Sequence, residues 1–454
     1  MRNHPEPPGP WVFLWSNGDF YGIMGEQTFD KEAVRMKRRL VELGKDAVLV
    51  LLLLGLILLT LLSLPVESVR QSPVLSAILQ PLAPLLGMEQ AELAYMEVSE
   101  PVLDAAQPLA VSVSMSAGRY TARWDFAALD AAFETLGGAL GEALDTAGET
   151  TPANEIQLRR ALSGESVYFD YGLTLPAAVV ASWLDAEAES ELPDMHACVL
   201  AVEQDAVALY FLGEAVERAE TALSVETLSK LLESFRPDGS AFAFEQDSTL
   251  EAYTLLPETS PAVPAASVTC PCDSRFHEAL ATALDFNPYG DTSYTDAAGT
   301  VYYSETGCAL QISPTGEILL TSTAADRFRA AGPETAELVE EARRLVSLAA
   351  GDSAGEARLY LSGITASEEE TVCTFTYYLS GIAVNTGSPA ARVVFSGQSV
   401  SRMEVQALQF TTTGQEILVL PVAQAAAVLP EGSALVLQYQ LQGDTLQAGW
   451  VSGR

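Results

Sequence analysis

The stretch "AVLVLLLLGLILLTLLSLPV", Ala47 to Val66, decides how the rest of the chain is read. It runs for about twenty residues without a charge, and at 1.5 Å of rise per residue that is enough to cross a roughly 30 Å hydrocarbon core. Inside lipid the backbone must satisfy its own hydrogen bonds, so the expected form is a helix. A buried helix of a globular core would keep a polar face for water, and this Leu-rich run has none. Lys31, Arg35, Lys37, Arg38, Arg39 and Lys45 stand before it, whereas Arg70 alone stands just after it. That asymmetry predicts a cytoplasmic N-terminus and an outer C-terminal region. A cleaved signal peptide has a shorter apolar core and ends in a small-x-small site, which "SLPVESVRQS" does not offer. The chain therefore reads as a single-pass protein of the cell membrane with an extracellular C-terminal domain. Within the span, Gly55 and Thr60 are the candidates for a contact face, because helices in lipid associate through close packing.

From Met36 the sequence "MKRRLVELGKDAVLVLLLLG" resembles a basic n-region feeding an apolar helix. Residues 1–35 then read either as sequence upstream of the true start or as part of a short cytoplasmic tail. The expected organisation is a tail over 1–45, a transmembrane helix over 46–66, and a juxtamembrane linker with a short helix over 67–92. Two extracytoplasmic lobes follow, 93–257 and 268–454, divided at the Pro/Ala/Ser-rich "ETSPAVPAAS" of 258–267.

Charge separates these regions sharply. Residues 1–70 hold eight basic and eight acidic side chains, so sixteen of the 24 basic groups and 52 of the 60 acidic ones lie beyond Arg70. The whole net charge of −36 sits on the outer region, where Lys230 is the only lysine. Such a surface repels phosphate backbones and anionic lipid, which argues against nucleic acid as a partner. The hydrophobic share of 48% is that of folded domains with cores. Five cysteines, Cys198, Cys270, Cys272, Cys308 and Cys373, are too few and odd in number for a disulfide framework.

In the outer region, strand-like runs such as "LAYMEV", "LAVSVSM", "SVYFDYG", "ACVLAVEQDAVALYFL" and "CALQIS" interleave with fewer helical ones. "LDAAFETLGGALGEALDTA" is helical by period, with Leu129, Phe133, Leu136 and Leu140 on one face. "PAAVVASWLD", "VETLSKLLESF" and "DSRFHEALATAL" read as helices too, as does "ETAELVEEARRLVSLAAG", for which Gly351 is the expected C′ residue. "AFAFEQ" and "AYTLLPE" read as strands. The class is α+β, with two lobes of mainly antiparallel sheet and a few helices behind a single transmembrane helix.

No catalytic motif emerges. His196 and His277 are the only outer histidines, and neither a Gly-x-Ser-x-Gly elbow nor a His-Glu-x-x-His pair occurs. Ser166 lacks the elbow's second glycine, and "GGALG" at Gly137 lies inside a helical pattern. Cys270-Pro-Cys272, Asp273 and His277 cluster, but a structural zinc site needs a second ligand pair. Asp285, Asn287, Gly290 and Asp296 fall at calcium-like spacing, yet Tyr289 replaces an acid and Pro288 interrupts the loop. No catalytic, cofactor or metal residue is assigned.

"SGESVYFDYGLTLPAAVVASWL", "LDFNPYGDTSYTDAAGTVYYSETGCALQISPTGEILLTS" and the terminal "ALVLQYQLQGDTLQAGWVSG" around Trp450, behind a basic tail and one membrane helix, carry a resemblance. The chain is similar to the YycH/YycI-type regulators of Gram-positive bacteria, and especially to divergent clostridial versions, over most of Met36 to Arg454. The resemblance implies a non-enzymatic regulator of a two-component system. Its partner would be a membrane histidine kinase of cell-wall homeostasis or a family paralogue, in a homo- or hetero-dimer, with no cofactor and no catalytic residues. The alternatives are a structural or ligand-binding ectodomain of an envelope assembly or export complex and, behind it, a cell-wall enzyme or its inactive relative.

Overall fold

The computed structural model describes residues 105–187, 191–324 and 327–453. They belong to one compact unit, Glu89–Arg454. The apolar stretch and its basic flank, the short helix and strand expected between Val74 and Val98, and the boundaries drawn at 45, 66 and 92 lie outside the described residues. Among the described residues no helix is long and apolar enough to cross a membrane. What is described is α+β, mostly antiparallel, with seven α-helices.

The first sheet has seven strands. They are β1 (Ala110–Met115), β2 (Gly118–Ala122), β3 (Thr151–Pro152), β4 (Ser166–Pro176), β5 (Asp194–Glu203), β6 (Ala206–Leu212) and β7 (Val216–Glu220). Their order is β2-β1-β4-β5-β6-β7-β3, antiparallel throughout. Gln204, at φ +55°, makes the turn between β5 and β6 where the sequence places it. The central strands read as almost unbroken apolar runs because both faces are covered. Val167, Phe169, Leu200 and Phe211 meet helices α1 (Phe126–Asp145), α3 (Ala177–Trp183) and α4 (Val225–Leu232) on one face. Tyr168, Val199 and Tyr210 meet helix α2 (Glu155–Ser163) and Phe242 on the other.

Helix α1 shows how local sequence sets an element. Asp125 caps it, accepting from the Ala127 N–H at 2.9 Å and the Ala128 N–H at 3.4 Å, and so satisfies donors that the first turn leaves open. Leu129, Phe133, Leu136 and Leu140 then all point into the core. Helix α2 has a weaker apolar face but a complete capping box, in which Asn154 and Gln157 exchange bonds of 2.9 Å.

The strands expected over 241–246 and 252–258 contract to a two-residue ladder, β8 (Ala241–Phe242) with β9 (Leu255–Leu256). The cause is Glu245. Its carboxylate accepts the Phe242 N–H at 2.8 Å and pairs with Arg119, which bends Ala243–Glu245 into a 3₁₀ turn.

The second sheet has thirteen strands. It begins with β10 (Pro264–Thr269), β11 (Ser293–Thr295), β12 (Val301–Glu305), β13 (Cys308–Ile312) and β14 (Glu317–Ser322). It continues with β15 (Ala357–Ala366), β16 (Thr371–Leu379), β17 (Ile382–Asn385), β18 (Ala391–Ser396) and β19 (Ser399–Gln406), and closes with β20 (Gln409–Glu416), β21 (Ala434–Gln442) and β22 (Thr445–Gly453). Helices α5 (Ser274–Ala283), α6 (Thr335–Val346) and α7 (Val422–Val428) interrupt them. The order is β11-β12-β13-β14-β19-β18-β16-β17-β21-β22-β10-β20, with β15 added against β16. The pair β17–β21 is parallel. Pro264 to Ser267, expected as the end of an interlobe linker, are thus strand, paired with β20.

Helix α6 does not stop at Gly351. It passes through a π turn (Ser347–Gly351) and a 3₁₀ turn (Asp352–Ala354), and the glycine in left-handed conformation is Gly355, at φ +70°. A Cβ there would strike the Phe410 carbonyl of β20, so this close approach, rather than the end of the helical period, fixes the glycine.

One buried cluster runs from the first sheet through α1 and α3 to α5, α6 and strands β13, β14, β18 and β19. A second, centred on Tyr377, Phe410, Leu437 and Tyr439, fills the space under β10, β16, β17 and β20–β22. The two sheets therefore share apolar contacts rather than closing separate cores.

Candidate functional site

Strand β15 is half-buried along its length, and β16 is its only ladder partner among the described residues. Its free side faces the end of β4 and the segment 105–109, and a cleft of about 180 Å³ opens between them. Leu173, Leu175 and Trp183 form one wall, and Leu359, Leu361 and Phe375 form the other. The volume is close to that of cavities that hold a benzene-sized molecule. The Tyr171 side chain also lines it; it is 4% exposed, and its hydroxyl has no hydrogen-bond partner among the described residues. Burial pushes that hydroxyl well above the ordinary tyrosine value, so it is a neutral group able to donate one hydrogen bond.

At the rim, four polar side chains from three separate parts of the chain converge. Arg358 of β15 donates to both Asp130 oxygens of α1, at 2.7 and 2.8 Å, and to Gln107 Oε1 at 3.1 Å. The Tyr360 hydroxyl donates to the same Gln107 oxygen at 2.7 Å, and Gln107 Nε2 donates to Asp130 Oδ1 at 2.6 Å. The Arg358 guanidinium lies 4.2 Å from the Phe126 ring centroid. Strand geometry explains half of this, since Arg358 and Tyr360 sit two residues apart and share a face. The hydrogen bond from Arg358 holds the Asp130 carboxyl below its ordinary value, and the same bond raises Arg358 further. Burial pushes the Tyr360 hydroxyl up. The cluster is a charge-neutral clamp that fixes the segment around Gln107 to helix α1 and strand β15 beside the cleft.

The residues singled out in the sequence go elsewhere. Arg35, Lys37, Arg38, Arg39 and Lys45, expected to orient the span, and Gly55 and Thr60, expected on its contact face, lie outside the described residues. Ser166 is buried at the start of β4, and Gly137 is buried inside α1. Asp296 accepts from the Ala298 and Thr300 N–H groups, both at 2.9 Å, and from the Tyr302 hydroxyl at 3.2 Å. Those bonds, that of Thr300 first, lower its carboxyl and turn its lone pairs into its own hairpin instead of a calcium loop. Asp273 caps α5 through Phe276 N–H at 2.8 Å, with Cys270 and Cys272 just before it. No group of three or more His, Cys, Asp and Glu side chains among the described residues is placed to hold a metal ion. The clamp and the cleft carried no sequence signal beyond the Arg358–Tyr360 spacing, because residues 107, 130 and 358 meet only through tertiary packing.

The chain matches no protein-family model, no curated protein and no solved structure.

Proposed function

We propose that this chain is a non-enzymatic regulatory protein, anchored by the helix expected at 46–66, with its folded body outside the membrane, and that it modulates a membrane histidine kinase of cell-wall homeostasis. The observation that carries the reading is the clamp: Gln107, on the segment that leads in from the anchor side of the sequence, is bonded to both Asp130 and Arg358 at the mouth of the cleft. A change in the cleft alters what holds that segment, which is the coupling a membrane-tethered regulator requires. The partner class comes from the resemblance to YycH/YycI-type regulators, and Arg35, Lys37, Arg38, Arg39 and Lys45 support the orientation.

The buried Tyr171 hydroxyl, without a partner among the described residues, favours a second reading, a structural or ligand-binding ectodomain of an envelope assembly or export complex. Photo-crosslinkers placed singly from Val48 to Leu64 in cells decide between them. Capture of a histidine kinase from one helix face, including Gly55 or Thr60, is the expected result. Capture of wall-synthesis or export machinery replaces the first reading by the second. Labelling of lipid alone at every position overturns the helix-contact mechanism.

A further inference from the structure

Five cysteines lie among the described residues, in two environments. Cys198, Cys308 and Cys373 are buried in sheet, whereas Cys270 is exposed and Cys272 is half-buried against the core. The second pair flanks a single proline, between the end of β10 and the Asp273 cap of α5. The Cys272 N–H donates to Cys270 Sγ at 3.4 Å, which holds the first sulfur against the backbone of the second cysteine. Residues two apart are separated by less than two Cα–Cα steps of 3.8 Å, which overlaps the roughly 4.4–6.8 Å that a disulfide needs. Cys270 Sγ also packs against the turn at 313–316, 3.2 Å from where a Gly316 Cβ would stand, so one sulfur is located while its outer side stays open to solvent.

We propose that Cys270 and Cys272 form a reversible dithiol–disulfide couple, a modification site that exchanges with a disulfide-bearing partner of the thiol–disulfide oxidoreductase class. The inference is independent of the regulatory reading. The exposed Cys270 thiolate attacks one sulfur of the partner disulfide, forms a mixed disulfide and releases the partner's other sulfur as a thiolate. Cys272 gives its proton to solvent and attacks Cys270 Sγ, which closes the intramolecular bond and expels the partner's second thiolate. Two electrons pass from the pair to the partner, and one disulfide is exchanged for another. Burial, and then the neighbouring Cys270, push the Cys272 thiol up, so Cys272 must lose its proton before it attacks. A bridge across one intervening residue is short and exposed, the class of disulfide that is readily reduced rather than structural.

The test uses the full chain in detergent, purified with reductant and equilibrated across a series of reduced and oxidised glutathione. The samples are alkylated with excess N-ethylmaleimide in native buffer at about pH 7 and mapped by mass spectrometry. The expected result is a two-electron transition in which the peptide holding both residues loses two hydrogens and both alkylation sites. Cys198, Cys308 and Cys373 stay unlabelled until the chain is denatured. Cys272→Ser then accumulates the glutathione adduct at Cys270, and Cys270→Ser, at an exposed position, accumulates none. Two free thiols across the whole series overturn the proposal. So does a wild-type adduct that persists at Cys270 as it does in Cys272→Ser, because the ring then does not close.

Discussion

The clamp at the cleft makes a quantitative demand on one pair, Asp130 and Arg358. The perturbation is a double-mutant cycle of Asp130→Asn, Arg358→Met and the two together, read by urea unfolding at pH 7. The pair is bidentate, at 2.7 and 2.8 Å, but the side chains are 40% and 45% exposed, so solvent screens much of their attraction. Half-exposed pairs of good geometry contribute at most about 1 kcal/mol, and that is the expected coupling. Arg358→Met alone also removes the bond to Gln107 and the contact with the Phe126 ring, for a total of about 2 kcal/mol. In a body of this size that lowers Tm by roughly 3 °C. The pH dependence has a definite sign. The folded Asp130 value lies below the ordinary 3.8, so the stabilisation is complete above that value and is lost as pH falls through the depressed one. Coupling should also fall in 1 M salt. A coupling below about 0.3 kcal/mol at pH 7, or one unchanged after Asp130 is protonated, refutes the clamp as the tie between helix α1 and strand β15.

Three further outcomes follow from single contacts. Arg119 is 6% exposed, lies 4.2 Å from the Phe242 ring centroid, and donates to Ser114 Oγ and the Leu162 carbonyl besides pairing with Glu245; Arg119→Ala should cost about 3–5 kcal/mol in urea unfolding, since it strands a carboxylate. Gly316 stands at φ +92° against the Ala407 carbonyl, so Gly316→Ala should cost about 1–3 kcal/mol by the same assay, with no change in the chain's far-UV circular dichroism. Tyr171→Phe removes a buried hydroxyl that has no partner among the described residues, and calorimetry should show a body that is unchanged or about 1 kcal/mol more stable. A clear loss of stability in Tyr171→Phe would mean that the hydroxyl is bonded in solution.

Elements with a strong local cause were legible in the sequence. Helix α1 carries a period of Leu129, Phe133, Leu136 and Leu140 that specifies its buried face, whereas its start at Phe126, set by the Asp125 cap, falls in "YTARWDF", which reads as strand. The β5–β6 hairpin is equally local, with apolar runs on either side of Gln204-Asp205. Where the expectation fails, a distant residue decides. Arg119, more than a hundred positions from Glu245, turns "AFAFEQ" from strand into a 3₁₀ turn. The Phe410 carbonyl, from β20, sets the left-handed glycine at Gly355 instead of Gly351. Helix α2 is not among the helices expected from the sequence, because its apolar face rests on Leu158, Ala161 and Leu162 alone. The cleft has the same character as the failures, since its rim assembles Gln107, Asp130 and Arg358 from three elements, none unusual where it stands.

The placement of the arginines also says what kind of surface a partner meets. Arg119, Arg218, Arg327 and Arg358 each bind a carboxylate and at least one further group inside the body, while Arg159, Arg343, Arg344 and Arg402 pair with acids three or four residues away on a helix or two residues away on a strand. With sixteen basic groups against 52 acidic ones beyond Arg70, carboxylates outnumber basic groups by 36 and leave the region strongly anionic. Their combined field acts over about 8 Å at physiological ionic strength, far enough to orient an approaching protein but not to reach across the molecule. An anionic leaflet therefore repels the body, and a basic outer domain is drawn to it at a rate that falls steeply with salt. Contacts between helices in the membrane have no such dependence, because they rest on packing. Under the proposed anchored reading, steering by the body and recognition by the helix expected at 46–66 are separable: salt should change how fast a partner is captured by the first and leave the helix face used by the second unchanged.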